Sequence, residues 1–124
     1  MVTTRILVVD DSLVAGQQIT GVLKGTADYE VVGHAKNGAE GMKLFSQLRP
    51  DVVLMDLVMP VMDGLQALRG LRALDAAARV IVLSSLGGVE SKATEALRLG
   101  ALAVVVKPIE AESVRNAIER AMGR

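Results

Sequence analysis

Five side chains in this sequence have the types and spacing to do chemistry together: Asp10, Asp11, Asp56, Ser84 and Lys107. Each follows a short apolar, mostly β-branched run: Ile6 to Val9 before Asp10-Asp11, Val52 to Met55 before Asp56, Val80 to Leu83 before Ser84-Ser85, and Ala103 to Val106 before Lys107. Singly, each has a bland explanation, because Asp and Ser end strands or cap helices and a strand-end Lys is usually solvated. Together, at the same end of every run, they are hard to explain as caps. Three packed carboxylates repel, so keeping them ionised requires a cation, and an oxygen-only set without His or Cys suits Mg2+, with Mn2+ as the alternative. A carboxylate is also a nucleophile toward phosphorus, giving an acyl phosphate. Asp56 is the natural nucleophile because it stands alone on the central run. Asp11 and a backbone carbonyl just past Asp56 can then hold the ion, Lys107 supplies a second positive charge, and the Ser84 hydroxyl can donate to a phosphoryl oxygen. Movement of Ser84 would carry the event into the following loop.

The elements that must position these groups alternate along the chain. After the first strand, Ala15, Ile19, Val22 and Leu23 keep helical spacing from Ser12 to a stop near Gly25. Tyr29 to Ala35 reads as a second strand, and Asn37 with Glu40 three residues on resembles a capping box opening a helix through Met42, Phe45 and Leu48, closed by Pro50. The central strand is expected to break at Pro60 and Asp63-Gly64, followed by a helix with Leu65, Leu68 and Leu71 on one face. The stretch SSLGGVES forms a loop after the fourth strand, a fourth helix runs to Leu99, and Val114, Ile118 and Ala121 mark a fifth after Lys107-Pro108. The sum is (βα)5, an α/β fold with a doubly wound five-stranded parallel sheet covered on both faces. In such sheets ligands bind beyond the carboxyl ends of the strands, where the five polar residues stand.

Bulk properties narrow the function. A chain of 124 residues is expected to form a single domain over 1–124. Fourteen basic and fourteen acidic residues cancel, and Lys and Arg are scattered, so neither nucleic acid nor an anionic membrane is an expected partner. The only aromatics, Tyr29 and Phe45, leave no base-stacking platform and imply an aliphatic core. Without cysteine there is no disulfide or thiol chemistry, and no apolar run suits a signal peptide or a membrane span. The cytoplasm is the expected location.

Five stretches in register with these strands carry a family likeness: ILVVDDS, NGAEG, PDVVLMDLVMPVMDG, VIVLSS and LGALAVVVKP. From Arg5 to Met122 the chain resembles the receiver domains of two-component response regulators, and within them the receivers of chemotaxis methylesterases. The resemblance implies a flavodoxin-like strand order 2-1-3-4-5. It also implies phosphoryl transfer from a histidine kinase or phosphotransfer protein to Asp56, making the chain a phosphorelay switch rather than a turnover enzyme. By position, Asp11 is implied as direct metal ligand beside Asp56, Asp10 as acting mostly through water, and Val58 as offering its backbone carbonyl. Ser84 matches the switch hydroxyl, Lys107 the phosphoryl-contacting lysine, and Lys107-Pro108 the cis peptide. Output is implied through the face of helix four, strand five and helix five, toward an effector protein or a tethered output domain. The chain is then either a stand-alone receiver or a piece of a longer protein.

Departures from the family shape further expectations. Gly16-Gln17 stand where such receivers often carry Arg, and Val104 replaces the usual Tyr or Phe, so output should pass through Leu86 to Ser91 rather than a swinging ring. Val58 and Leu86 replace polar residues that can orient a hydrolytic water, so self-dephosphorylation should be slow. His34, the only histidine, is expected to be structural, and the six Met residues to fill gaps. Competing readings are a scaffold that binds partners without phosphorylation, a Mg2+-dependent phosphohydrolase and a flavodoxin-type carrier. The intact polar set opposes the first, Val58 in place of an acid the second, and the lack of loop aromatics the third.

Overall fold

In the computed structural model, which describes residues 3–24, 27–59, 62–85 and 90–124, five strands and five helices alternate. They are β1 (Thr4–Val9), α1 (Leu13–Leu23), β2 (Tyr29–Ala35), α2 (Gly38–Leu48), β3 (Val52–Asp56), α3 (Gly64–Leu74), β4 (Val80–Ser84), α4 (Glu90–Arg98), β5 (Ala103–Val106) and α5 (Ala111–Ala121). All strand pairs are parallel and the order is β2-β1-β3-β4-β5, the flavodoxin-like order. The central strand β3 is buried throughout, which explains why it reads as a continuous apolar run rather than an alternating one.

Side chains alternate across the sheet and divide the core in two. Leu7, Val9, Val53, Met55, Val80 and Val82 pack against Phe45 of α2, Ala67, Leu68 and Leu71 of α3, and Ala96 of α4. Ile6, Val8, Val52, Leu54, Ile81, Leu83 and Val105 face Ile19 and Leu23 of α1 and Val114, Ala117 and Ile118 of α5. This is the doubly wound arrangement that right-handed crossovers give a parallel sheet.

Several boundaries carry their own chemistry. Ser12 caps α1 by accepting from the Ala15 N–H, and Asn37 caps α2 by accepting from the Glu40 N–H. A capping box with both halves present forms at Asp63 and Gln66. Asp63-Gly64, read as a strand-ending turn, is therefore the first turn of α3. Arg5 donates through Nη1 to the carbonyls of Leu48 and Arg49, satisfying acceptors at the C-terminus of α2. Helix α4 ends at Arg98, one residue before its expected end, and Gly100 follows at φ 109°. The expected breaks at Gly25 and Pro60 lie outside the described residues, as do Leu86 to Val89 of the loop after β4. No helix among the described residues is long and apolar enough to cross a membrane.

Candidate functional site

The carboxyl ends of β1, β3, β4 and β5 bring Asp10, Asp11, Asp56, Ser84 and Lys107 to one edge of the sheet. Asp10, just past β1, is fully buried and bonded on every side. Its N–H donates to the Ala35 carbonyl at 2.9 Å, Oδ1 accepts from the Ser12 N–H at 2.8 Å, and Oδ2 accepts from Lys107 Nζ at 2.9 Å. Its carbonyl accepts from His34 Nε2 at 2.9 Å. Asp11, by contrast, is exposed.

Asp56, the last residue of β3, is 5 % exposed. Its Oδ1 accepts a long bond from the Val58 N–H at 3.3 Å, and Lys107 Nζ lies 3.4 Å from Oδ2. Lys107 follows β5, after which the Lys107-Pro108 peptide is cis. Lys107 is thus no solvated strand end but a cation shared by two buried carboxylates. Ser84 ends β4 one residue past Leu83, the register partner of Asp56. It is buried, and its hydroxyl donates to the Ser85 carbonyl at 3.4 Å, too long to be a strong bond.

The loop after β3 is held by close backbone contact. The Leu57 N–H donates to Leu83 at 3.2 Å, and the Leu57 carbonyl accepts from the Gly64 N–H at 3.1 Å. A Cβ at Gly64 would lie 2.3 Å from the Asp56 carbonyl oxygen, so only glycine lets α3 start this close to Asp56. Val58 turns its side chain outward, 52 % exposed.

The electrostatics follow from this crowding. Burial, with the Asp10 charge adding to it, raises the Asp56 pKa above the usual carboxylate value, against the opposing pull of Lys107 and the Val58 N–H. Burial acts to lower Lys107, but its bonds and charge interactions with Asp10 and Asp56 outweigh this and raise it overall. One oxygen from each of Asp10, Asp11 and Asp56 lies within 4.8 Å of the others. A single lysine leaves this set short of positive charge, and an all-oxygen, all-carboxylate cluster fits a hard divalent cation such as Mg2+. The bonds made by His34 and Gly64 were not read from the sequence. A glycine inside the pattern of α1, at Gly16, is the one signal pointing toward His34.

A five-stranded sheet of this order with carboxylates and a lysine at its carboxyl edge defines a class, and residues 6–119 match the response regulator receiver domain family. The chain belongs to that family. It is 38 % identical over 117 residues to the chemotaxis protein CheY of Listeria monocytogenes, covering 94 % of this chain and 97 % of that protein. It is also 45 % identical over 104 residues to protein-glutamate methylesterase/protein-glutamine glutaminase 5 of Myxococcus xanthus, covering 84 % of this chain and 30 % of that longer protein. The crystal structure of the response regulator domain of Thermotoga maritima CheB superposes with a TM-score of 0.89 at 34 % identity, covering 99 % of this chain and 98 % of that one. These similarities place it among chemotaxis-type receivers, which are signalling domains.

Proposed function

We propose that this receiver accepts a phosphoryl group on Asp56 from a phosphohistidine of a histidine kinase or phosphotransfer protein. The supporting observation is the meeting of Asp10, Asp11 and Asp56 oxygens within 4.8 Å, with Lys107 Nζ 3.4 Å from Asp56. In the transfer an Asp56 carboxylate oxygen attacks phosphorus, the P–N bond breaks as the P–O bond forms, and the imidazole leaves with the electron pair and takes up a proton. Lys107 offers its charge to the phosphoryl oxygens, and the weakly engaged Ser84 hydroxyl donates to one of them. Asp11, Asp56 and the Val58 carbonyl would hold Mg2+ or Mn2+, with Asp10 acting mostly through water. The bound ion would offset negative charge on the transferring group.

The apolar side chains of Leu13, Val14 and Val58, all more than half exposed, follow the carboxylates in sequence and offer a docking rim for the donor protein. Output belongs to α4, β5 and α5, where Leu97, Leu102 and Val106 are exposed and a cavity of about 400 Å3 is lined by Val104 to Pro108, Glu110 and Ser113. That face suits an effector protein or a tethered output domain. The experiment is incubation with Mg2+ and a small phosphodonor, followed by intact mass. One added phosphoryl group is expected, lost in Asp56→Asn and with chelator; equal labelling of Asp56→Asn would overturn the reading.

A further inference from the structure

We infer that His34 is a positioning residue for the acidic site, acting through the backbone of Asp10, and that Gly16 exists to admit its ring; this rests on the Mg2+-dependent reading above. The Asp10 carbonyl belongs to the planar peptide that begins Asp11, so a bond to that oxygen sets where Asp11 leaves the sheet. A carbonyl can only accept, so His34 Nε2 carries the hydrogen in the 2.9 Å contact. Together with the Asp10 N–H to Ala35 bond, it makes β2 hold both backbone groups of Asp10. His34 pairs in register with Val8, whose side chain lies on the α1 side of the sheet, so the His34 ring passes beneath α1 to reach Asp10.

Helix α1 meets the ring at Gly16. A Cβ there would sit 2.5 Å from His34 Cε1 and 2.9 Å from each ring nitrogen. A side chain at 16 forces the ring or the helix to shift, which disturbs the donor to Asp10. Glycine weakens a helix interior, so its place in the second turn of α1 is explained by what it admits. Asp10 itself needs little help, since its carboxylate is held by Ser12 and Lys107. Asp11 is exposed, and the orientation of its peptide is what His34 adds.

The test uses the full chain with His34→Phe, which keeps a ring without a donor, His34→Gln, which restores a donor near Nε2, and Gly16→Ala. Mg2+ affinity is read by calorimetry, and the Asp11 amide resonance is followed in metal-free protein. In His34→Phe and Gly16→Ala the Mg2+ dissociation constant should rise roughly tenfold, the range for residues that orient a ligand. The metal-free Asp11 resonance should move in both, and His34→Gln should return both readouts toward the parent. Parent-like Mg2+ affinity in either folded donor-loss variant would overturn the inference while leaving the Asp56 reading intact. Failure of His34→Gln to rescue a folded protein would also overturn it, and a parent that binds no Mg2+ would overturn both.

Discussion

At the scale of single residues, the site is a problem of charge kept out of water. Lys107 stands between a fully buried Asp10 and a nearly buried Asp56, so deleting it leaves carboxylates without their partner. Lys107→Met should destabilise the metal-free protein by about 3 kcal/mol, the cost of breaking a buried pair from one side, measured by urea unfolding. Asp56→Asn should do the opposite. Its folded-state pKa is raised, so the folded state binds the proton more tightly than the unfolded one, and the ionised group opposes folding above the unfolded value. Stability therefore falls as pH rises from the unfolded carboxylate pKa through the raised folded one, and is lowest, as far as Asp56 goes, above the folded value. Thermal melts without Mg2+ should show Asp56→Asn above the parent at neutral pH, with the gap closing on acidification. Asp11→Asn, exposed in the structure, should barely move the metal-free midpoint but lose most of the Mg2+-induced rise. A gap between Asp56→Asn and parent that widens on acidification would contradict this electrostatic account. The Lys107 pKa is raised too, so it gives the same slope in a more alkaline window: its stabilising contribution is fully present below the unfolded lysine value and lost as pH rises through the folded one.

At the scale of elements, strand ends were legible because β-branched runs followed by a polar residue are a strong local pattern. That pattern puts Asp10-Asp11, Asp56, Ser84 and Lys107 on one edge, while the sheet order follows from the family likeness. Contacts between elements distant in sequence were not legible. Asp63-Gly64 reads locally as a turn, yet Asp63 caps α3 and Gly64 lies against the Asp56 backbone, a contact that depends on where α3 returns to the sheet. Gly64→Ala should cost about 2 kcal/mol by overpacking and lower the rate of labelling at Asp56, as measured by unfolding and intact mass. The far ends of β2 and α5 are likewise joined by the Tyr29 hydroxyl donating to Glu119, itself paired with Arg124 at 2.9 Å, while Arg124 reaches Thr4 Oγ1 at 2.7 Å. Burial first, then Glu119, pushes the Tyr29 pKa up to about 12. As the only tyrosine, in a chain without tryptophan, it can be titrated by its phenolate absorbance. The midpoint should lie near pH 12 in folded protein and near the usual tyrosine value in denaturant, and a folded midpoint near that usual value would remove this tie.

At the scale of the whole molecule, a balanced charge leaves signalling to a change of local surface rather than of global field. Val104 is partly buried against the core that α2, α3 and α4 share, and it offers no ring to swing. Phosphorylation should therefore be felt most over Leu86 to Ser91, next to Ser84, and then on the α4, β5 and α5 face. Amide exchange of phosphorylated and free protein compares these directly, and a change confined to β5 would contradict the route. Val58, exposed two residues past Asp56, carries no polar group that could orient a hydrolytic water. Self-dephosphorylation should be slower than in a Val58→Asn variant by about tenfold, or about 1.4 kcal/mol in barrier.

Whether Asp56 itself carries the phosphoryl group is decided by chemical trapping of the labelled residue. Borohydride reduces an acyl phosphate at aspartate to homoserine, so peptide mapping of protein labelled with Mg2+ and a small phosphodonor, then reduced, should show that replacement at Asp56 alone. A phosphoryl group that survives acid on Ser84 or Ser85, one on His34, or homoserine at Asp10 or Asp11 instead, would contradict it.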